Sequence, residues 1–215
     1  MSRAILIGLM LMGLAVPAAG QAGLRLYGHV GPAAPLGPNS FVDFWKPGTE
    51  VGLGVGWAVR GPFEVLLEGL YQRFPLERDE FLADAGVLGV GLDLRGGAFT
   101  VGGLMLGVRA NLEQSRLFAP YVALRAGVMR RNRSDLTLAV EDEAITLEGD
   151  AETTLGVGAS VGVGVILGPR LHLYAAPAFY VLASRFRKPS FNRLPRAEDN
   201  LTRYFGLRVG LRLAR

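Results

Sequence analysis

The side chains able to do chemistry in this 215-residue chain are few and far apart. There is no cysteine, which removes thiolate nucleophiles, thiolate metal sites, a disulfide framework and a lipid-modified anchor. Only His29 and His172 could serve as a histidine base. A hydrolytic or acyl-transfer site needs such a histidine beside a nucleophilic serine or a carboxylate, and no motif marks one near either. No catalytic residue is assigned, and the chain reads as non-enzymatic. The acidic stretch EDEAITLEGDAE (141–152) offers carboxylates to a hard cation but lacks the D-x-D-x-D-G spacing of a calcium loop. It reads as a solvated loop, so neither a metal nor a cofactor is expected. Gly156, Gly158 and Gly162 spell G-x-G-x-x-x-G, yet a dinucleotide fingerprint places its glycines in the turn after a strand, opening a helix. Of the 23 basic residues only Lys46 and Lys188 are lysine, and no basic stripe interleaved with aromatics accompanies the arginines, so nucleic acid is not an expected partner. What remains are charges that recur singly, Arg25, Glu64, Glu68, Arg109, Arg125, Arg208 and Arg212, and one basic cluster, Arg185, Arg187, Lys188, Arg193 and Arg196.

The elements that carry these charges have a period of two. From Thr153 to Leu167, TTLGVGASVGVGVIL places Leu155, Val157, Ala159, Val161, Val163, Val165 and Leu167 at odd positions, and Gly156, Gly158, Ser160, Gly162 and Gly164 at even ones. In a strand, that makes one apolar face and one face nearly without side chains. A helix would carry interior glycines at about 0.8–1 kcal/mol each. The same alternation predicts strands at 24–31, 49–59, 63–73, 99–112, 118–131, 170–183 and 203–213. Proline cannot donate to a ladder, so Pro177 predicts a bulge, and the proline-rich stretch 32–48 predicts a loop. Ahead of these strands, MSRAILIGLMLMGLAVPAAGQA (1–22) has Arg3, an apolar run and small residues, the form of a secretory signal cut near Gly20 to Ala22. The domain organisation is therefore a signal peptide, 1–22, and one all-β domain, 23–215.

The connections carry the architecture. In order they are long (32–48), short (60–62), long (74–98), short (113–117), long (132–152), short (168–169) and long (184–202). That rhythm is the one a membrane barrel has, with short turns at one end and long loops at the other. Seven connections join eight strands, with both termini on the turn side. The segment 86–94 also alternates, and read as a further transmembrane strand it would break the rhythm, so it is assigned to a strand or hairpin projecting from its loop. The fold class is all-β, a closed eight-stranded antiparallel up-and-down transmembrane barrel. Its apolar faces look outward, and Arg25, Glu64, Glu68, Arg109, Arg125, Arg208 and Arg212 enter the lumen. A barrel of this size is just wide enough for side chains to fill it, and buried charges must pair, so these seven are expected to form an ion-pair plug. His172 is expected to be an inward or interfacial polar residue. Trp57, Phe63, Phe118 and Tyr121 near the turns, the last pointing inward by parity, and Trp45, Tyr71, Phe74, Tyr204 and Phe205 near the loops, predict two aromatic girdles.

Through GLGVGWAV (52–59), APYVALRAGV (119–128), GVGASVGVGV (156–165) and YFGLRVGLRL (204–213), the chain resembles the small eight-stranded outer-membrane proteins, the OmpA/OmpX-like barrels of the porin-like outer-membrane β-barrel family. The resemblance implies export to the bacterial outer membrane, insertion by the barrel-assembly machinery, contact with phospholipid and lipopolysaccharide, and a monomer with a structural or surface-interaction role. Under that topology the cluster Arg185, Arg187, Lys188, Arg193 and Arg196 faces the phosphate-rich outer leaflet, where charge-assisted contacts to lipopolysaccharide are expected. The alternatives are a lipid-modifying barrel enzyme of the lipid A deacylase kind, which would use His29, a narrow-pore channel, and a soluble lipid-carrying barrel with its apolar faces turned inward.

Overall fold

The structure, a computed structural model, describes residues 23–59, 61–84, 86, 93–112, 115, 117–140, 143–184 and 201–214. The expected signal segment and the basic cluster from Arg185 to Arg196 lie outside the described residues. In chain order the elements are β1 (Leu24–Gly37), α1 (Asn39–Phe44), β2 (Gly48–Ala58), β3 (Phe63–Phe74), α2 (Arg78–Asp84), β4 (Asp93–Gly96), β5 (Phe99–Asn111), β6 (Phe118–Arg133), β7 (Leu136–Val140), β8 (Glu143–Leu147), β9 (Asp150–Ile166), β10 (Leu171–Leu182) and β11 (Thr202–Ala214). Eight strands close a barrel in the order β1-β11-β10-β9-β6-β5-β3-β2, every pair antiparallel. Closure leaves no unpaired edge, the condition under which a sheet can sit in hydrocarbon.

The alternation of the sequence becomes the two faces of the wall. Leu53, Leu106, Leu124, Val157, Val161, Val209 and Leu211 are exposed on the outside, whereas Glu50, Glu64, Arg109, Arg208 and Arg212 are buried within. A protein in water places these classes the other way round, so the barrel has the polarity of a lipid-facing wall. The 12 residues of β10 exceed the roughly 9–11 that a tilted strand needs to cross a bilayer. Inward glycines let neighbouring strands of the wall approach closely. A Cβ added at Gly127 would lie 2.0 Å from the Leu104 carbonyl oxygen, and one at Gly210 would lie 2.2 Å from that of Gly28.

Several local expectations are corrected. Residues 32–48 are not one loop: β1 continues through Pro32 and Pro35 to Gly37, and α1 follows. The ladder to β11 lapses at Gly31 and Pro32 but resumes in unchanged register at Ala33, while pairing to β2 runs on to Ala33, so the proline costs local bonds without ending the strand. Pro177 sits at no bulge. The β10–β9 ladder skips Ala176 and Pro177 and returns in the same register at Ala178, and Pro177 still pairs with Leu207 of β11. The stretch 132–152 is not a featureless excursion either, because β6 and β9 extend into it and β7 and β8 form a hairpin there. Of the 86–94 segment, 87–92 lie outside the described residues; β4 begins at Asp93 and pairs with β7 in a three-stranded sheet separate from the barrel, order β4-β7-β8.

Candidate functional site

The lumen gathers the polar side chains into two layers. The upper layer, toward the long loops, centres on Glu50 of β2 and Glu68 of β3. Arg208 of β11 reaches both, with its Nε 2.5 Å from Glu50 Oε1 and its Nη1 3.1 Å from Glu68 Oε1. Gln72 donates its amide to Glu50 at 2.7 Å, and Arg125 Nε lies 2.6 Å from Glu68 Oε2 while its Nη1 donates to the Ser160 hydroxyl at 2.8 Å. His29 is held between the two carboxylates, Nε2 3.2 Å from Glu50 and Nδ1 3.4 Å from Glu68. Two carboxylates thus face two guanidinium groups, and the layer balances. Each charge has a partner, as burial requires.

The lower layer, toward the turns, is built differently. Glu64 of β3 is its one carboxylate among the described residues. It is held by Arg25, 2.6 Å away, and by the Tyr27 hydroxyl. Arg109, directly across the ladder from Glu64, lays its guanidinium over the Tyr121 ring, 3.5 Å from the centroid, and donates from Nε to Asn111 at 3.1 Å. Arg212 donates to His172 Nδ1 at 2.5 Å, which requires an unprotonated ring nitrogen there. Between the layers a cavity of about 20 Å³, lined by Tyr27, Leu66, Glu68, Arg109, Tyr121, Arg125 and Tyr174, has room for about one water.

The loop-side mouth is closed by aromatic rings. Phe41 of α1 packs against Phe99, Phe74 and Trp45 at centroid distances of 4.8, 5.2 and 6.0 Å. Phe74 meets Tyr204 at 5.8 Å, and Tyr204 stacks on Tyr180 at 4.8 Å. Trp45 donates its indole N–H to the Gly97 carbonyl at 2.9 Å, and Leu76, Phe81, Leu94 and Leu136 complete the cluster. The outer girdle is corrected accordingly. Tyr71 and Phe205 do face outward, but Trp45, Phe74 and Tyr204 are buried in this cap. At the turn side, Trp57, Phe63 and Phe118 are exposed on the outer wall. Beside the cap, Arg131, across the ladder from Val101, joins Asp150 at 3.0 Å and Glu152 at 2.8 Å.

All seven residues assigned to the lumen face it, yet they fall into two groups: Glu68, Arg125 and Arg208 above, and Arg25, Glu64, Arg109 and Arg212 below. Glu50, His29 and Gln72 join the network without having been assigned to it from the sequence. Parity was the available signal, since Glu50 alternates with the inward Gly52 and Gly54, and Gln72 with Glu64 and Glu68. His29 lies between the two carboxylates beneath the cap, with its Nδ1 also 3.4 Å from the Tyr174 hydroxyl, and the buried Ser160 hydroxyl is taken by Arg125. Among the described residues no cluster of three or more histidine or acidic side chains is placed to hold a metal ion.

No protein-family model and no curated protein matches the sequence. Solved structures match the fold. Neisserial surface protein A (NspA) is 12% identical, covers 90% of this chain and 98% of its own, and superposes with a TM-score of 0.57. A major outer membrane protein from Thermus thermophilus is 12% identical over 88% of this chain and 98% of its own with a TM-score of 0.48, and the Ail protein of Yersinia pestis is 12% identical over 89% and 99% with a TM-score of 0.44. The first of these shows a shared fold, the small eight-stranded barrel of outer-membrane proteins.

Proposed function

We propose that this chain is a non-enzymatic barrel of the bacterial outer membrane, delivered there by a signal segment at 1–22, and that it serves the envelope structurally or through its loop-side surface. The observation that carries this reading is a lumen occupied by two ionic layers and an aromatic cap inside a wall that is apolar on its outside. Two ionic layers and an aromatic cap leave room for about one water between the layers, so the barrel is closed to solutes and the Arg/Glu layers act as its plug. A lipid-modifying role would need His29 or His172 free at the lipid surface, whereas both are buried inside. The loop side carries α1, α2 and the β4-β7-β8 sheet, and lipopolysaccharide phosphates are the proposed partners of the basic cluster Arg185, Arg187, Lys188, Arg193 and Arg196. Barrel-assembly machinery inserts the chain, which works as a monomer.

The test is cell fractionation combined with gel mobility. The protein is expected in the alkaline-washed outer-membrane fraction as a compact band that converts to a slower one on boiling. In a planar bilayer it is expected to give no conductance steps. Recovery as a soluble periplasmic protein overturns the membrane reading, regular conductance steps overturn the plug, and altered lipid A that reverts in His29→Ala overturns the non-enzymatic assignment.

A further inference from the structure

The two ionic layers do not carry the same charge. In the upper layer Glu50 and Glu68 are matched by Arg125 and Arg208, whereas in the lower layer Arg25, Arg109 and Arg212 surround Glu64 alone among the described residues. Among the described residues, the surplus of two positive charges in the lumen therefore sits at the turn-side end. His172 accepts a hydrogen bond from Arg212 and supplies no negative charge. Arg109 and Arg212 are only 3% and 4% exposed, and Arg212 Nε and Nη1 have no hydrogen-bond acceptor. Arginine cannot shed its proton in a protein, so this surplus cannot be titrated away. Water can accept from the N–H groups, but it cannot cancel charge held inside a wall of hydrocarbon, where an uncompensated ion is costly.

We infer that the turn-side end of the lumen binds one small inorganic anion, held by Arg109 and Arg212, with Arg25 at the entrance. The register supports a shared site. Arg212 pairs across the ladder with Tyr27 on one side and His172 on the other, and Tyr27 donates to Glu64 while its ring lies 5.3 Å from the Arg109 guanidinium. The side chain of Arg25 is 24% exposed, so the site communicates with the turn-side solvent, while the cap seals the opposite end. The inference is independent of what the loop-side surface contacts. It requires only that the barrel be folded.

The experiment uses the full mature chain folded in dodecyl maltoside. Chloride and inorganic phosphate are titrated separately, with ionic strength held by sodium gluconate. Isothermal calorimetry is expected to show saturable binding of at least one of the two at one per chain, together with a saturable rise in the temperature at which the compact gel band is lost. In Arg212→Gln and in Arg109→Gln the affinity is expected to fall at least tenfold. In Lys46→Gln, at the loop side, it is expected to stay the same. No saturable binding of either anion to the wild-type barrel overturns the site, and that result stands even where a variant fails to fold. Unchanged affinity in both folded arginine variants overturns it as well.

Discussion

Removing Arg208 isolates the cost of breaking the upper ionic layer. Arg208 is 1% exposed and is the one guanidinium among the described residues that contacts both Glu50, at 2.5 Å, and Glu68, at 3.1 Å. Arg208→Met keeps much of the volume and deletes both contacts. Breaking a buried pair from one side costs about 3–5 kcal/mol, because the other charge is left in a poor environment. Here the abandoned carboxylates keep partners, Gln72 at 2.7 Å on Glu50 and Arg125 at 2.6 Å on Glu68. That places the loss near the lower bound, about 3 kcal/mol or roughly 150-fold in the folding equilibrium. Adding Glu50→Gln removes the stranded charge while Arg125 still matches Glu68, so the double variant should recover about 1–2 kcal/mol, the coupling expected of neighbours in one network. Equilibrium urea unfolding from phosphatidylcholine vesicles, followed by tryptophan fluorescence and by the compact gel band, reads both values. An Arg208→Met cost below about 1 kcal/mol, the size of an exposed pair, refutes the argument, as does a double variant no more stable than the single one.

Outside the lumen, Val209→Arg places a charge on the lipid face near the middle of β11, and should cost about 2–4 kcal/mol in vesicle unfolding, against about 0.5 kcal/mol or less for a surface change in water. Gly127→Ala adds one methyl group where the Leu104 carbonyl oxygen stands 2.0 Å away, so the strands must part and about 1–3 kcal/mol should be lost in the same assay, although alanine is the smallest possible change. The chain has two tryptophans, Trp57 36% exposed on the outer wall and Trp45 2% exposed under the cap. Brominated acyl chains should therefore quench the fluorescence of Trp45→Phe strongly and that of Trp57→Phe weakly, and equal quenching would put Trp45 back in a lipid-facing girdle.

The wall was legible because the two solvents it separates impose a period of two that nothing interrupts. Apart from β1, which runs on past Gly31 to Gly37, the barrel strands, from the 49–59 prediction realised as Gly48–Ala58 to the 203–213 prediction realised as Thr202–Ala214, are bounded within a few residues by where that alternation stops. What periodicity does not report is pairing on each side separately. Pro32 and Pro177 each lack one donor, yet each keeps a ladder partner on another edge, Thr49 for Pro32 and Leu207 for Pro177. In a closed barrel every strand has two neighbours, so one missing bond is held in register by the other ladder. A proline rule learned from open sheets overstates the damage.

The lumen was legible as a set of charges and illegible as an arrangement. Parity assigns Arg208 and Arg212 to the inside, but which carboxylate each meets depends on the shear of the barrel, which sets the height at which side chains of β11 meet those of β2 and β3 past the intervening β1 and is written in no single strand. The cap shows the complementary limit. Phe74 shares the inward parity of Glu64 and Glu68, and Tyr204 that of Arg208, so a strict reading of alternation places both inside despite their position at the strand ends. Trp45 carries no such signal, because it follows α1 in a segment without period. Its burial comes from Phe41 and Phe44 folding over the mouth, where capping an apolar rim removes from water the surface that Met105, Met129, Val101 and Leu182 present at that end of the lumen. A barrel whose loop-side lumen is apolar therefore requires a lid drawn from its own loops, whereas the arginine-rich turn-side end can stay open to water and ions. This difference between the two ends accounts for the cap lying on one side and, among the described residues, the surplus of arginine lying on the other.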